Sequence, residues 1–219
     1  MFEFLKKLKK NIGERPVAIN ETTGSFYVFK EEYKNKIFLV SDLHLFHARG
    51  FVYKPRGFND IQSMVDKIVE NWNSTVNKND DVFILGDLML NNDDLGIEVL
   101  KSLNGRLHII RGNHDTDNRI KKFIELDNIV EICDAKYIDY KGYHFYLSHY
   151  PTMTGNLENK YLKQMLLNIF GHTHSKDEFF EDRPYMYNVA CDANNCTPVL
   201  LDDIITKMQN KVKECIEML

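Results

Sequence analysis

Five short apolar runs in this chain each end abruptly in side chains that bind metal ions. Ile37-Phe38-Leu39-Val40 is followed by Ser41-Asp42-Leu43-His44, and Val82-Phe83-Ile84-Leu85 by Gly86-Asp87. Leu107-His108-Ile109-Ile110 runs into Arg111-Gly112-Asn113-His114-Asp115. Phe145-Tyr146-Leu147 leads to Ser148-His149, and Leu166-Leu167-Asn168-Ile169-Phe170 to Gly171-His172-Thr173-His174. A buried strand reads as a continuous apolar run of about four to eight residues. Ligands in open α/β sheets gather beyond the carboxyl ends of such strands. Strands that deliver Asp, His and Asn to one edge describe a site of many metal ligands, so metal-assisted chemistry is the first expectation.

Between these runs the pattern changes period. Ile61, Met64, Val65, Ile68, Val69, Trp72 and Val76 recur at helical spacing over residues 60–77, with Asn59 or Asp60 placed to cap the start. A second helix is predicted over 93–103, ending at Asn104-Gly105, and a short one over about 117–125. From residue 128 strands dominate: Ala135 to Tyr140 and Tyr143 to Ser148 read as a hairpin around Lys141-Gly142, and another strand lies near Tyr185 to Val189. Residues 157–166 are read as a helix, and so are 200–218, where Leu201, Ile204, Ile205, Met208 and Val212 share one face. Two such halves pack as two sheets with helices outside. Residues 1–34 stand before this pattern as an extension. They hold a basic amphipathic start, Met1 to Lys10, and a hairpin of Val17 to Asn20 with Ser25 to Phe29. Residues 35–219 are expected to form the domain proper.

Composition narrows the partners. A length of 219 residues suits one such domain. A formal net charge of −4 argues against a general nucleic-acid binder, which shows a basic surplus. Four cysteines without a paired framework or CxxC read as free thiols of a reducing compartment, so a cytoplasmic location is expected. No stretch reaches the roughly 20 apolar residues that span a bilayer. The basic start lacks the apolar core and cleavage site of a signal peptide.

Taken singly, the ligand motifs are weak. A lone D-x-H, or Gly-Asp after a strand, is ordinary turn chemistry. Gly112-Asn113-His114-Asp115 is stronger, and Gly171-His172-Thr173-His174 places two imidazoles on one side of an extended segment, which also suits a structural zinc pair. In this order and together they resemble the calcineurin-like metallophosphoesterases, from about Ile37 to Val199. His47, Asn71-Trp72-Asn73 and Asn188-Val189 are similar to the small bacterial and phage members that lack a cap domain. The resemblance implies an α/β fold, a four-layer αββα sandwich of two mixed β-sheets flanked by helices. It also implies a binuclear centre. Asp42, His44, Asp87 and His174 would hold one ion and Asp87, Asn113, His149 and His172 the other, with Asp87 bridging. His114 would bind neither ion and would face the substrate.

The chemistry suits that reading. Two cations roughly 3.5–4 Å apart clamp the attacking and leaving oxygens of an in-line displacement at phosphorus. Imidazole, carboxylate and amide oxygen suit two divalent transition-metal ions (manganese, iron or zinc, with manganese favoured) better than magnesium. His114 is the candidate general acid, and Asp115 is expected to orient its imidazole. In Phe46 to Gly57, His47, Arg49, Lys54 and Arg56 are candidates to grip phosphate oxygens, with a solvated basic loop as the alternative. Arg111 is expected to pair with an acid, and His108 and His144 to be packed or surface residues. The protein phosphatase branch carries an Arg in its GD motif and a Glu ending the third, where this chain has Leu88-Met89 and Asp115. The expected activity is therefore phosphodiester hydrolysis of a small phosphate ester or nucleotide by a metal-bridging hydroxide. A nucleic-acid phosphoesterase, a phosphomonoesterase and a non-catalytic scaffold of the same fold are the alternatives, and a homodimer is left open.

Overall fold

Apolar runs without a polar face need cover on both sides, and the strand arrangement shows where it comes from. The computed structural model of the chain describes residues 17–19, 26–28, 33–155 and 161–217. Residues Met1–Lys34 form a unit of their own. In it β1 (Val17–Ile19) and β2 (Phe26–Val28) pair antiparallel, with Val17 opposite Val28. The helix expected over residues 1–10 lies outside the described residues.

The second unit, Asn35–Leu219, carries two mixed sheets. In the first, β3 (Ile37–Val40), β4 (Asp81–Ile84), β5 (Arg106–Ile110) and β6 (Ile129–Cys133) run parallel in that order. The second orders β7 (Ala135–Tyr140), β8 (Tyr143–Ser148), β9 (Leu166–Phe170) and β10 (Met186–Asn188), with only the β7–β8 hairpin antiparallel. Finally β11 (Val199–Leu200) returns to the first sheet, antiparallel against β3.

Among the described residues five α-helices accompany the sheets: α1 (Gly50–Tyr53), α2 (Ile61–Thr75), α3 (Asp93–Ser102), α4 (Asp117–Phe123) and α5 (Leu201–Glu217). One face of the first sheet presents Phe38, Val40, Val82, Ile84, Leu107 and Ile109. They pack with Met64, Val65, Ile68 and Trp72 of α2, Leu100 of α3 and Phe123 of α4. The alternate residues Ile37, Leu39, Phe83 and Ile110 point to the other face of the pleat and are fully buried too. That double burial is why these strands read as unbroken apolar runs. Each such side chain contributes roughly 1.5–3 kcal/mol by leaving water. Among the described residues no helix is long and apolar enough to cross a membrane.

Helix α2 follows its sequence closely. The Asp60 side chain caps it, accepting from the Ser63 amide at 2.8 Å. Trp72 donates its indole N–H to the Asn104 carbonyl at 2.8 Å, and Asn73 accepts from the Asn104 amide. Trp72 and Asn73 thus tie α2 to the turn before β5, while the Asn71 side-chain amide donates to the Asn195 carbonyl at 3.1 Å. Two expectations need correction. Over 157–166 the described part is a 3-10 turn at Leu162–Gln164, and Leu166 already starts β9. Pairing with β8, with Leu166 opposite His144, overrides any helical preference there. Likewise α5 begins at Leu201, because Val199 and Leu200 are held opposite Leu39 and Phe38.

Candidate metal centre

Register brings the ligand loops together. Ile37 lies opposite Asp81 and Asp81 opposite Arg106, so β3, β4 and β5 end at the same edge. The parallel β8–β9 pairing does the same for the loops at Ser148-His149 and Gly171 to His174. Backbone bonds continue past the strand ends: the Asp42 amide donates to Gly86, the His44 amide to Asp87 and the Gly171 amide to His149, each at 3.0 Å. Ser41 joins the two sheets. Its amide donates to the Val189 carbonyl, and its carbonyl accepts from the Cys191 amide.

The ligand-bearing backbone is strained. Asp42, His44, Asp87, His172 and His174 have φ of 57°, 47°, 56°, 68° and 50°, in the left-handed region that residues with a Cβ avoid. Each such residue costs of order 1–3 kcal/mol and persists only where its surroundings over-determine it. Two glycines show how tight those surroundings are. A Cβ on Gly86, itself at φ 90°, would sit 2.6 Å from both the Gly112 Cα and His149 Nδ1. One on Gly171 would overlap the Ser41 hydroxyl and the Asp42 carboxylate.

The side chains form two groups. Asp42, His44 and His174 offer ligand atoms within 4.8 Å of one another, and Asp87, His149 and His172 do the same. His44 Nε2 and His174 Nε2 are 3.2 Å apart, as are His149 Nε2 and His172 Nδ1. Asn113 Oδ1 adds to the second group, 2.9 Å from His149 Nε2. Asp87 lies between the groups, with Oδ2 3.7 Å from His44 Nε2 and Oδ1 3.6 Å from His149 Nε2.

Asp42 Oδ1 supplies a test of fit. Among the described residues it is the one buried side-chain nitrogen or oxygen without a hydrogen-bond partner. A buried carboxylate oxygen without a donor is costly unless a cation meets it. Burial alone would raise the Asp42 carboxyl, but the neighbouring His44 imidazole outweighs it and holds it at about 2, so it is ionised. Burial, reinforced by His149, pushes the His172 imidazole down, which favours its neutral, ligating form. Carboxylates, imidazoles and an amide oxygen are donors that divalent transition metals accept. The residues fit such ions.

A further layer fixes the imidazoles, as outer partners of metal-binding histidines do. His149 Nδ1 is 2.7 Å from the Leu85 carbonyl. His174 Nδ1 is 3.0 Å from Asp192 Oδ2, and this bond raises the His174 pKa. Burial would raise the Asp192 carboxyl, yet the bonds from His174 and Arg56 hold it low. Asp192 was not picked out from the sequence as a site residue. Its signal was its position between Cys191 and Cys196, just past the strand that carries Asn188.

Several candidates stand elsewhere than expected. Arg56 does not face a substrate: its side chain is 1% exposed and grips Asp192 through Nε (3.1 Å) and Nη2 (2.6 Å), with Nη2 also on the Asp42 carbonyl. Asp115 does not touch the His114 imidazole. Its buried carboxylate accepts from the amides of Asp87, Leu88 and Gly112, at 2.8, 3.1 and 2.9 Å, and so clamps two ligand loops. Burial and the nearby Asp87 charge raise its pKa despite those donors. The His114 side chain is 39% exposed and belongs to neither ligand group. Its Nε2 is 3.9 Å from Asp87 Oδ2 and its ring 5.6 Å from that of His44. His47 is buried against His44 and faces His114 at 6.1 Å; burial and these two rings lower its pKa to about 4. Arg49 and Lys54 are exposed at the two ends of α1. Arg111 pairs with Asp117 at 2.6 Å.

A model of the calcineurin-like phosphoesterase superfamily domain matches residues 36–189. An uncharacterised protein of Methanocaldococcus jannaschii is 34% identical over 182 residues, which cover 81% of this chain and 93% of that one. The gene 66 protein of Mycobacterium phage L5 is 27% identical over 158 residues, covering 62% of this chain and 76% of its own. Among solved structures, a protein of unknown function from Aquifex aeolicus superposes with a TM-score of 0.61 at 24% identity, over 79% of this chain and 99% of that one.

Proposed function

We infer that this chain, which belongs to the calcineurin-like phosphoesterase superfamily, is a two-metal phosphohydrolase of small phosphodiesters. The observation that carries the two-metal reading is Asp87, whose two carboxylate oxygens each face a histidine of a different ligand group. When bound, two divalent cations would neutralise phosphate charge and make water acidic enough to react near neutral pH. Manganese is the first metal to test.

The chain's own residues supply the rest. Asp42, His44 and His174 would hold one ion, and Asn113, His149 and His172 the other, with Asp87 shared. Asp115 and Arg56 keep the ligand loops in place by their backbone bonds. In hydrolysis a water oxygen bonds to phosphorus, the bond to the leaving oxygen breaks, and the leaving oxygen gains a proton while the water loses one. His114, exposed at the mouth of the cluster, is placed to give that proton through its imidazole. Such donors contribute about 10²–10⁴-fold. Arg49, exposed at the start of α1, would meet phosphate oxygens. His47 is neutral at pH 7 and lies beside His114.

The test is a panel of an aryl phosphodiester, an aryl monoester, cyclic nucleotides and oligonucleotides with added manganese. Diester turnover that a chelator abolishes is expected. Turnover of monoesters alone would overturn the diesterase reading, and a metal-replete protein inert on every ester would favour the scaffold. His114→Gln should keep both ions and lose at least about a hundredfold in kcat. Asp87→Asn should lose metal and activity together.

A further inference from the structure

Two aromatic rings stand in solvent beside the ligand cluster, one next to each group. Phe51 is 73% exposed and packs edge-on to His47, with ring centroids 5.6 Å apart, and His47 in turn abuts His44 of the first group. Tyr150 is 48% exposed, and its ring lies 4.6 Å from His172 and 4.9 Å from His149 of the second group. A single exposed apolar side chain carries no meaning. These two differ in how they are held. The Tyr150 carbonyl accepts from both the Ser148 and the Thr152 hydroxyls, at 2.8 and 2.9 Å. Asn168, fully buried, accepts from the Thr152 amide and donates to the Ser148 hydroxyl, at 2.8 and 2.9 Å. Phe51 rides on α1, which is anchored by the buried Val52 and closed by the Lys54 amide on the Gly50 carbonyl. Both rings are therefore presented by pinned backbone and left uncovered.

Placement then limits what they receive. A phosphate seated on Asp87's two ligand groups has one ring near each end. A phosphomonoester has one organic arm; a diester has two. We propose that Phe51 and Tyr150 are platforms for planar rings on the two arms of a phosphodiester, so that the substrate class is a small nucleotidyl or aryl diester. Aromatic side chains accept any base by its face, and base–aromatic contacts are lost measurably on truncation to alanine. This assignment rests on the phosphohydrolase reading above.

Two esters with the same leaving group separate the possibilities: bis(4-nitrophenyl) phosphate, with rings on both arms, and ethyl 4-nitrophenyl phosphate, with one. The manganese-loaded full chain should show the lower KM for the first. Phe51→Ala and Tyr150→Ala should each raise that KM about tenfold, affecting KM more than kcat, with metal content intact. Tyr150→Phe should recover what Tyr150→Ala loses. On the ethyl ester only one of the two alanine variants should matter, which identifies the leaving-group side. A binding readout accompanies this: adenosine 5′-monophosphate, with one ring, should bind to the metal-loaded chain more tightly than ribose 5-phosphate, and that preference should vanish in the alanine variant whose ring receives the base. An unchanged KM and an unchanged preference in both variants overturn the platforms while leaving the hydrolase standing. Should the parent cleave neither ester, the hydrolase reading fails, and the adenylate comparison still decides the rings.

Discussion

The Arg56 guanidinium donates to both oxygens of Asp192 and to the Asp42 carbonyl, so the first ligand loop and His174 share one brace. Burying such a pair costs solvation, and removing one partner strands the other charge. The pair is best explained by what it positions: Asp192 holds His174 Nδ1, which leaves Nε2 facing His44. Asp192→Asn keeps the shape and loses the charge. We expect the ion held by Asp42, His44 and His174 to bind about 10–100-fold more weakly, with the other ion little affected. Calorimetric titration of the metal-free protein with manganese would show this as one weakened step of two. Equal weakening of both steps, or of neither, counts against the positioning role. The chemistry of Arg56 was legible in the sequence, but its target was not: 136 residues separate it from Asp192.

At the scale of elements, local signals were readable wherever the chain could satisfy them locally. The apolar stripe of α2 and its Asp60 cap are both internal to the helix, and both are present. Asp60→Ala removes the acceptor for the Ser63 amide and should cost about 1 kcal/mol. For a chain of this size that lowers Tm by roughly 2–4 °C, measured by calorimetry, with metal content unchanged. No change in Tm would show that the cap is redundant with the packing of Met64, Val65, Ile68 and Trp72. The apolar run Leu166–Phe170 reads as a strand and is one; the differences are confined to Leu166 and Leu200, where helices were expected to reach. At both positions the partner is a strand far away in sequence, and pairing with β8 and β3 overrides the local preference.

The whole molecule stores a second polar network, at the opposite end of the strands from the ligands. His108 is buried, with Nε2 2.8 Å from Asp81 Oδ1, Nδ1 2.7 Å from Glu131 Oε1 and its ring stacked on Phe83. Burial alone would lower its pKa, but the two carboxylates outweigh it and raise it above 6.5. The stability it contributes is therefore fully present below pH 6.5 and is lost as pH rises through the raised folded value. Glu131 acts in the other direction. Burial would raise it, yet His108 and Lys136 hold it at about 2, so its contribution is present above pH 4.5 and lost as pH falls towards 2. The metal-free protein should lose Tm as pH climbs from 6.5, and His108→Gln should flatten that limb. A variant that follows the parent over the whole alkaline limb would remove His108 from the account.

Sequence alone determined most of the strand-and-helix scaffold and singled out the candidate metal ligands, because periodicity and side-chain chemistry are properties of short segments. Runs that end in Asp42, Asp87, Asn113, His149 and His172 announce themselves one at a time, and their order carried the resemblance. Only the tertiary structure decided which atoms meet. It turned Asp115 from His114 to three loop amides, sent Arg56 inward, brought in Asp192 and placed Phe51 and Tyr150 at the two ends of the cluster. Those choices depend on strand register and on left-handed turns held by distant neighbours, and no local stretch of sequence encodes the distance between two loops.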